Sequence, residues 1–107
     1  MEILDNNLIV KLKGELDHHT SEEVRKKIDK QYNGSSVSNI IMDLNELTFM
    51  DSSGIGLIMG RYRNTVDKRG KLIIACENMT IKRILDMSGL LKIIELYPKL
   101  DEATNNI

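Results

Sequence analysis

Apolar positions along the chain form five short runs of strand length, separated by stretches of helical periodicity. The strand-like runs lie at positions 3–4, 8–13, 38–44, 71–76 and 92–97. Apolar residues recur at helical spacing in the segments 20–33, 55–70, 80–88 and 100–107. Strands that alternate with helices are typical of a mostly parallel sheet with right-handed crossovers. The pattern therefore predicts one α/β domain over residues 1–107, in which a mixed, mostly parallel sheet of four or five strands is flanked by about four helices.

Polar residues and glycines indicate where two of these helices begin or end. The first helix is expected to begin with a capping box, Thr20-Ser21-Glu22-Glu23, and residues 14–19 before it are expected to form a loop. Asn78 or Thr80 is expected to cap the third helix, and Gly89 is expected to end it in the left-handed conformation. The two adjacent histidines at positions 18 and 19 are therefore predicted in a polar loop that leads into the first helix.

The stretch 50–56 marks the passage from the central strand into the second helix, and it carries two adjacent hydroxyls. Either Ser52 or Ser53 could cap that helix, so the other hydroxyl is surplus to capping. Gly54 and Gly56 remove side chains from the approach, so another protein's active site could close on the hydroxyl. A phosphate would add about −1.5 to −2 charges, which a helix N-terminus tolerates. We therefore expect a phosphorylation switch that spares the fold and disrupts docking, with both serines open as its target.

The second helix is expected to bury one stripe of side chains and to show the opposite face to a partner. Its predicted buried stripe consists of Ile55, Ile58, Met59, Tyr62 and Val66. Leu57 lies roughly 200° from Ile55 around the helix axis, close to Gly60 and Arg61. An exposed leucine beside a switch is an interaction site more often than one elsewhere, so we predict that Leu57 is a partner contact, with packing under a neighbouring helix as the alternative.

Composition and charge narrow the class of protein. The net charge is −1, and no basic run with interleaved aromatic residues occurs, so nucleic acid is not expected as a partner. No apolar stretch approaches the roughly 20 residues that span a bilayer, and the first residues lack the pattern of a signal peptide. A lone cysteine, Cys76, excludes an internal disulfide and suits a reducing compartment. We therefore expect a cytoplasmic protein without a membrane partner.

The glycines of the second helix also allow a nucleotide-binding alternative. The pattern Gly54-x-Gly56-x-x-x-Gly60 follows a strand and opens a helix, which is the context of a dinucleotide fingerprint. Its third glycine is one place late, Asp51 would face the pyrophosphate, and 107 residues cannot supply two mononucleotide-binding halves. The interpretation as a nucleotide-binding protein at this corner stays open as an alternative.

The few other reactive side chains do not form a recognisable site. His18 and His19 point in different directions and Cys76 is alone, so no metal-ligand set is visible and no metal is expected. A catalytic pair of Ser53 and His18 cannot be judged from sequence because such contacts are spatial, although most Ser/His pairs in a chain never meet. We expect a binding module with no cofactor and no catalysis of its own.

Three blocks of the chain resemble the STAS family of anti-anti-sigma factors. They are Gly14-Glu15-Leu16-Asp17-His18-His19-Thr20, then Phe49-Met50-Asp51-Ser52-Ser53-Gly54-Ile55-Gly56 with Gly60-Arg61-Tyr62, and lastly Lys82-Arg83 with Asp86-Met87-Ser88-Gly89-Leu90. The resemblance covers nearly the whole chain. The adjacent histidines and the Met-Ser-Gly-Leu block narrow the resemblance to the sporulation branch, which controls sigma-F.

The resemblance implies a mechanism and a set of contact residues. It implies that the unphosphorylated chain binds an anti-sigma factor that is also an ATP- or ADP-bound Ser/Thr kinase, and so releases the sigma factor. It implies that this kinase phosphorylates Ser53 and ends binding, and that a PP2C-type phosphatase reverses the step. The partner-binding residues that it implies are Asp17, His18, His19, Thr20, Asp51, Ser52, Ser53, Gly54, Ile55, Gly56, Leu57, Gly60 and Arg61. A STAS regulator of another sigma or stress-signalling cascade is the alternative within the family.

Overall fold

A computed structural model describes residues 1–107, which form five strands and four α-helices. The strands are β1 (Glu2–Leu4), β2 (Asn7–Leu16), β3 (Asn39–Met50), β4 (Leu72–Ala75) and β5 (Glu95–Tyr97). The helices are α1 (His18–Asn33), α2 (Ser52–Asp67), α3 (Met79–Met87) and α4 (Leu100–Asn105), and a 3-10 turn spans Leu90–Lys92. The strands lie in one sheet in the order β1-β2-β3-β4-β5. Only β1 and β2 are antiparallel, so the predicted mixed, mostly parallel sheet is confirmed.

The core lies mainly between one face of the sheet and three helices. Along β3, Ile40 and Met42 belong to the main core, to which α1, α2 and α3 contribute Ile28, Ile58 and Ile81. The alternate residue Ile41 points to the other face, where a small second cluster contains Ala103 of α4. Helices therefore cover both faces of the sheet, which explains the nearly continuous apolar runs of the central strands.

Two strands are longer than the apolar pattern predicts. β2 continues to Leu16 and β3 continues to Met50, where the pattern placed their ends at 13 and 44. The register between β2 and β3 shifts twice, and Gly14 takes a positive φ of 82° inside β2. Each shift breaks the period-two alternation that reveals a strand in a sequence. Residues 14–16 therefore form strand rather than the predicted loop.

The first helix also begins earlier than predicted, and with a different cap. Asp17 is the N-cap: its Oδ1 accepts from the backbone N–H of Thr20 at 2.9 Å, and Thr20 Oγ1 accepts from the backbone N–H of Asp17 at 2.9 Å. The predicted capping box at 20–23 is wrong because this box lies one turn earlier, with an aspartate in the capping role. The two histidines consequently lie in the first helical turn.

The remaining boundaries agree with the sequence in most places. Asn78 caps α3 by accepting from two backbone N–H groups, and Gly89 takes a positive φ of 84° after that helix, as predicted. The fifth strand is shorter than the predicted 92–97, because the 3-10 turn takes Lys92, and Ile93 and Ile94 form the turn that follows it. The second helix ends at Asp67 and not at Gly70.

Candidate functional site

The starts of α1 and α2 lie side by side at one edge of the sheet. Leu16 and Met50 are register partners at the ends of the parallel strands β2 and β3, so the next residue of each strand begins a helix at the same level. The backbone N–H of Asp51 donates to the carbonyl of Leu16 at 3.4 Å. Residues 17–20 and 51–56, called the paired helix starts below, are thus brought together although more than 30 residues separate them in the chain.

Aspartates cap both helices, and the serine hydroxyls do not. Asp51 Oδ1 accepts from the backbone N–H of Ser53 at 2.8 Å, and this contact supplies the cap that the sequence assigned to Ser52 or Ser53. The expected serine cap is therefore wrong. Its replacement by Asp51 leaves the hydroxyls of Ser52, which is exposed, and Ser53, which is half-buried, without a capping role. At the other helix, the backbone N–H and then the hydroxyl of Thr20 lower the pKa of the Asp17 carboxyl.

The structure brings Ser53 and His18 together. Ser53 Oγ lies 3.4 Å from His18 Nδ1, at the long end of the hydrogen-bond range. It is the only side-chain hydrogen bond between the paired helix starts. A hydrolytic dyad would need a carboxylate to orient the imidazole, and His18 has no such hydrogen bond. The contact therefore joins two helices without completing a catalytic triad.

The face of α2 that was predicted to be exposed is covered by α1. Leu57 is 4% exposed and Arg61 is 8% exposed, whereas Val66 of the predicted buried stripe is 51% exposed. The predicted exposure of Leu57 is wrong and the alternative, packing under a neighbouring helix, is confirmed, because α2 packs against the sheet on one side and against α1 on the next. A helical wheel with a single buried stripe does not represent a helix that has two covered sides.

A shallow cleft of about 240 Å³ follows the seam between α1 and α2. It is lined by His18, Ser21, Glu22 and Arg25 of α1 and by Ser53, Gly56, Leu57 and Arg61 of α2. Sequence reasoning missed the three α1 residues after His18, although the spacing 18, 21, 22, 25 marks one helix face. Leu57 is the one hydrophobic residue among those that line the cleft, so the cleft does not have the set of hydrophobic and aromatic side chains that is typical of small-molecule pockets.

Ion pairs already occupy the arginines of this seam. Arg25 Nη2 lies 2.9 Å from Glu22 Oε2, and Arg61 Nε lies 3.1 Å from Asp29 Oδ1 without an aligned hydrogen bond. Burial lowers the pKa of the Arg61 guanidinium, and Asp29 opposes the shift. Ser21 Oγ and Arg61 Nη1 are buried without a hydrogen-bond partner, so the seam contains the least satisfied buried polar groups of the molecule.

The glycine pattern behind the nucleotide alternative has structural uses. A Cβ on Gly54 would collide with Met50 Cγ and lie 3.1 Å from Leu16 Cδ2, so this glycine allows α2 to pack on the strand ends. The backbone N–H groups of Ser53, Gly54 and Ile55 already donate to the side chain or carbonyl of Asp51. A phosphate cradle needs such groups unpaired, so the corner lacks the feature on which the nucleotide alternative depends.

The residues of the expected partner surface fall into three levels of exposure. His18, His19, Ser52 and Gly56 are exposed, then Asp17, Thr20, Asp51, Ser53, Ile55 and Gly60 are half-buried, and Gly54, Leu57 and Arg61 are buried.

The single phenylalanine, Phe49, is 45% exposed beside the paired helix starts and was not singled out from the sequence. Its position in the same sequence block as the serines was the available signal.

The structure shows neither a metal-ligand cluster nor a membrane-spanning helix. The structure contains no group of three or more His, Cys, Asp or Glu side chains placed to hold a metal ion. None of its helices has the length and apolar character needed to cross a membrane.

Comparisons with known proteins place the chain in a family. The STAS domain model matches residues 1–103. An anti-sigma F factor antagonist of Paenibacillus polymyxa is 47% identical over 90 residues, which are 84% of this chain and 77% of that protein. One from Lysinibacillus sphaericus is 40% identical over 83 residues, which are 78% of this chain and 71% of that protein. The phosphorylated form of the Bacillus cell fate determinant SpoIIAA has a TM-score of 0.77 and 32% identity, with coverage of 99% of this chain and 95% of that one. The resemblance noted in the three sequence blocks is thus confirmed, and this chain belongs to the STAS domain family.

Proposed function

We propose that this STAS domain is an anti-sigma factor antagonist whose binding surface is the paired helix starts and whose switch is phosphorylation of Ser53. In the unphosphorylated state it binds an anti-sigma factor and so releases the sigma factor. The observation that carries the proposal is the hydroxyl of Ser53. It lies between the N-termini of α1 and α2, where it contacts His18, and it caps neither helix. The names of the two antagonists that are 47% and 40% identical support this function and favour sigma-F over another cascade.

The local contacts explain why a phosphate on Ser53 leaves the fold intact. The hydroxyl of Ser53 hydrogen-bonds only with the exposed His18, and the backbone N–H of the same residue makes the hydrogen bond to the Asp51 cap. Esterification of the hydroxyl therefore breaks no capping bond and no core contact. The modified chain should keep its sheet and helices, and the effect should be confined to the surface.

The same contacts explain why a partner would be repelled. A phosphate on Ser53 adds about −1.5 to −2 charges in the middle of the surface formed by the paired helix starts. Asp17 and Asp51 already contribute carboxylates at the two caps. A partner that desolvates this surface meets extra charge and bulk, so its affinity falls.

Geometry supports Ser53 over Ser52 as the modified residue. Ser53 lines the cleft beside His18, so its phosphate lies between the two helices. Ser52 is exposed and lines no part of this cleft. A phosphate on Ser53 therefore reaches both segments of the paired helix starts, whereas one on Ser52 projects from α2 alone.

The proposed partners supply all the chemistry. The anti-sigma factor is an ATP-dependent Ser/Thr kinase, and a PP2C-type phosphatase removes the phosphate. This chain contributes an acceptor hydroxyl and a docking surface, and it acts as a binding module rather than an enzyme. Because the kinase draws on the ATP pool of the cell, the exchange takes place in the cytoplasm.

Mass spectrometry after incubation with a sigma-F anti-sigma kinase and ATP tests the proposal. We expect one phosphate, located on Ser53, in the native chain and in the matched control variant Ser52→Ala. We expect no phosphate on Ser53→Ala. A stoichiometric single phosphate on Ser53→Ala would assign the switch to another residue.

A further inference from the structure

The hydrogen bond between Ser53 and His18 can run in either direction, depending on the tautomer of the imidazole, and phosphorylation leaves only one of them. A serine hydroxyl can donate to Nδ1 of a neutral imidazole, which accepts with its lone pair. A dianionic phosphate ester has no proton on that oxygen, and its other oxygens are acceptors only. With Ser53 phosphorylated, the contact at His18 Nδ1 survives only if this nitrogen carries a hydrogen and donates.

We propose that phosphorylation of Ser53 makes Nδ1 of His18 the donor in this contact and that His18, as an imidazolium, becomes the counter-cation that holds the phosphate. This inference rests on the proposed modification of Ser53. The monoanionic phosphate gives up its remaining proton, which passes to Nδ1 directly or by way of solvent, so the phosphate becomes a dianion and the imidazole an imidazolium. No other bond is made or broken.

The other candidates for holding the phosphate have partners of their own, except Arg61 Nη1, which is buried and makes no hydrogen bond to Ser53. The backbone N–H groups of Ser53, Gly54 and Ile55 donate to Asp51, so the start of α2 has no free N–H group at these three positions. The guanidinium groups of Arg25 and Arg61 are paired with Glu22 and Asp29, respectively. His18 is the basic group in contact with Ser53 that has no other partner.

The charges around the imidazole favour its protonation when a phosphate arrives. From α1, the groups that face the cleft are Glu22 and Arg25, which neutralise each other, and Asp17 lies at the cap next to His18. From α2, Arg61 faces the cleft with its charge balanced by Asp29, and Asp51 lies at the cap. The dianionic phosphate is then the largest uncompensated charge, and the imidazolium offsets it.

The arrangement fixes where the phosphate lies. A phosphate held by His18 is fixed between α1 and α2, at the centre of the paired helix starts, instead of moving freely in solvent. It covers residues of both segments, so a single modification blocks the whole surface. His18 is thus a positioning residue for the switch, and its protonation is coupled to the phosphorylation state of Ser53.

The test uses the full chain with phosphoserine incorporated at position 53 during translation, so no kinase is needed. Nitrogen NMR of the imidazole rings at pH 7 reports the proton on Nδ1. We expect His18 Nδ1 to gain a hydrogen in the phosphorylated chain. His19, whose ring pairs with Glu23 at 3.4 Å and whose side chain is 82% exposed, serves as the internal reference and should change less.

Phosphorus NMR gives the second measurement, because it follows the second ionisation of the phosphate with pH. A unit positive charge about 4 Å away lowers that midpoint by about 0.7 pH units in a water-like environment. We expect the midpoint to rise by about this amount in His18→Asn, which keeps an amide donor and cannot be protonated. His18 is exposed, so this variant should fold.

The outcomes separate the inference from the proposed function. An unchanged ring nitrogen together with equal midpoints in the native and His18→Asn chains would overturn the inference. A kinase that modifies a residue other than Ser53 overturns the proposed switch instead, and it leaves the two NMR results as they are.

Discussion

Helices α1 and α2 begin in parallel at the same edge of the sheet, each with an aspartate cap, but their third residues differ. In α1 this residue is Thr20, whose hydroxyl completes the capping box by accepting from the backbone N–H of Asp17. The same hydroxyl lies 2.9 Å from the carbonyl oxygen of Glu15. In α2 it is Gly54, which has no side chain that could accept from the backbone N–H of Asp51 and complete a capping box. We call the α1 start closed, because its side chains complete a capping box. We call the α2 start open, because the hydroxyl of Ser53 has no capping role there.

The difference separates a structural hydroxyl from a regulatory one. Thr20 satisfies groups of the fold, so its loss should cost stability. Ser53 has one long contact to an exposed histidine, so its loss should cost little stability and its modification should change binding. The hydrogen bonds that each hydroxyl makes thus distinguish their roles: the hydroxyl of Thr20 stabilises the fold, and that of Ser53 is available for regulation.

The largest effect should come from a charge at Ser53. We expect Ser53→Asp to bind the sigma-F anti-sigma kinase at least about 100-fold more weakly than the native chain, because a desolvated extra carboxylate costs several kcal/mol at an interface. Ser53→Ala should bind within about threefold of native, since a small truncation at such a surface costs little. Isothermal titration calorimetry with the kinase gives both values.

A charge elsewhere provides the control for that measurement. Ser36 is exposed in the connection between α1 and β3, at the end of both elements that lies away from the paired helix starts. Ser36→Asp adds the same charge and should bind as the native chain does. Equal losses in Ser36→Asp and Ser53→Asp would show that net charge matters and that the location does not.

The next effect concerns the glycine that makes the α2 start different. An alanine at Gly54 would meet Met50 Cγ and lie 3.0 Å from its Sδ, and both Met50 and Leu16 are buried. We expect Gly54→Ala to lower the free energy of unfolding by about 1–3 kcal/mol through overpacking, despite the better helix propensity of alanine. Urea unfolding monitored by circular dichroism measures the change.

Gly56 is the matched control because a Cβ there meets nothing within 4 Å. Gly56→Ala should raise the free energy of unfolding by up to about 1 kcal/mol through helix propensity alone. If both variants gain stability equally, Gly54 does not serve the close packing of α2 on the strand ends.

The order of elements could be predicted from the sequence, whereas their ends at the site could not. Apolar runs of strand length reveal the sheet because the central strands are buried on both faces. Toward the site, the buried residues Leu44, Leu47 and Met50 of β3 are three apart, because the register with β2 shifts. Period-two analysis therefore ends the strand at 44, six residues short of its end at Met50, just before the helix that it positions.

The serines were found and their neighbours were misjudged for a related reason. Two hydroxyls beside glycines are visible in the sequence, but the choice of cap among Asp51, Ser52 and Ser53 depends on where the strand ends. Leu57 and Arg61 were expected on an open face because the contact of α2 with α1 arises from the parallel crossover and has no local signal. Likewise, the meeting of His18 with Ser53 depends on the register of β2 and β3.

The smallest effect tests the closed helix start and depends on pH. We expect Thr20→Ala to lower the free energy of unfolding by about 0.5–1.5 kcal/mol at pH 7, because the hydroxyl no longer satisfies the N–H of Asp17. Ser53→Ala, its counterpart at the open start, should change this free energy by less than about 0.5 kcal/mol. A loss in Ser53→Ala as large as that in Thr20→Ala would mean that the two hydroxyls do not differ in role.

The pH dependence of the stability lost in Thr20→Ala shows whether the carboxylate of Asp17 contributes to that loss. The N–H and hydroxyl of Thr20 depress the pKa of Asp17 below its ordinary value of 3.8, so their stabilisation is present above that pH and is lost as the pH falls through the lower folded value. The variant lacks the hydroxyl contribution, so its deficit relative to the native chain should shrink below about pH 4. Urea midpoints of both chains at pH 7, 5, 4 and 3 follow the deficit. A deficit that stays constant over this range would place the whole effect in the backbone contacts of Thr20 and none in its bond to the Asp17 carboxylate.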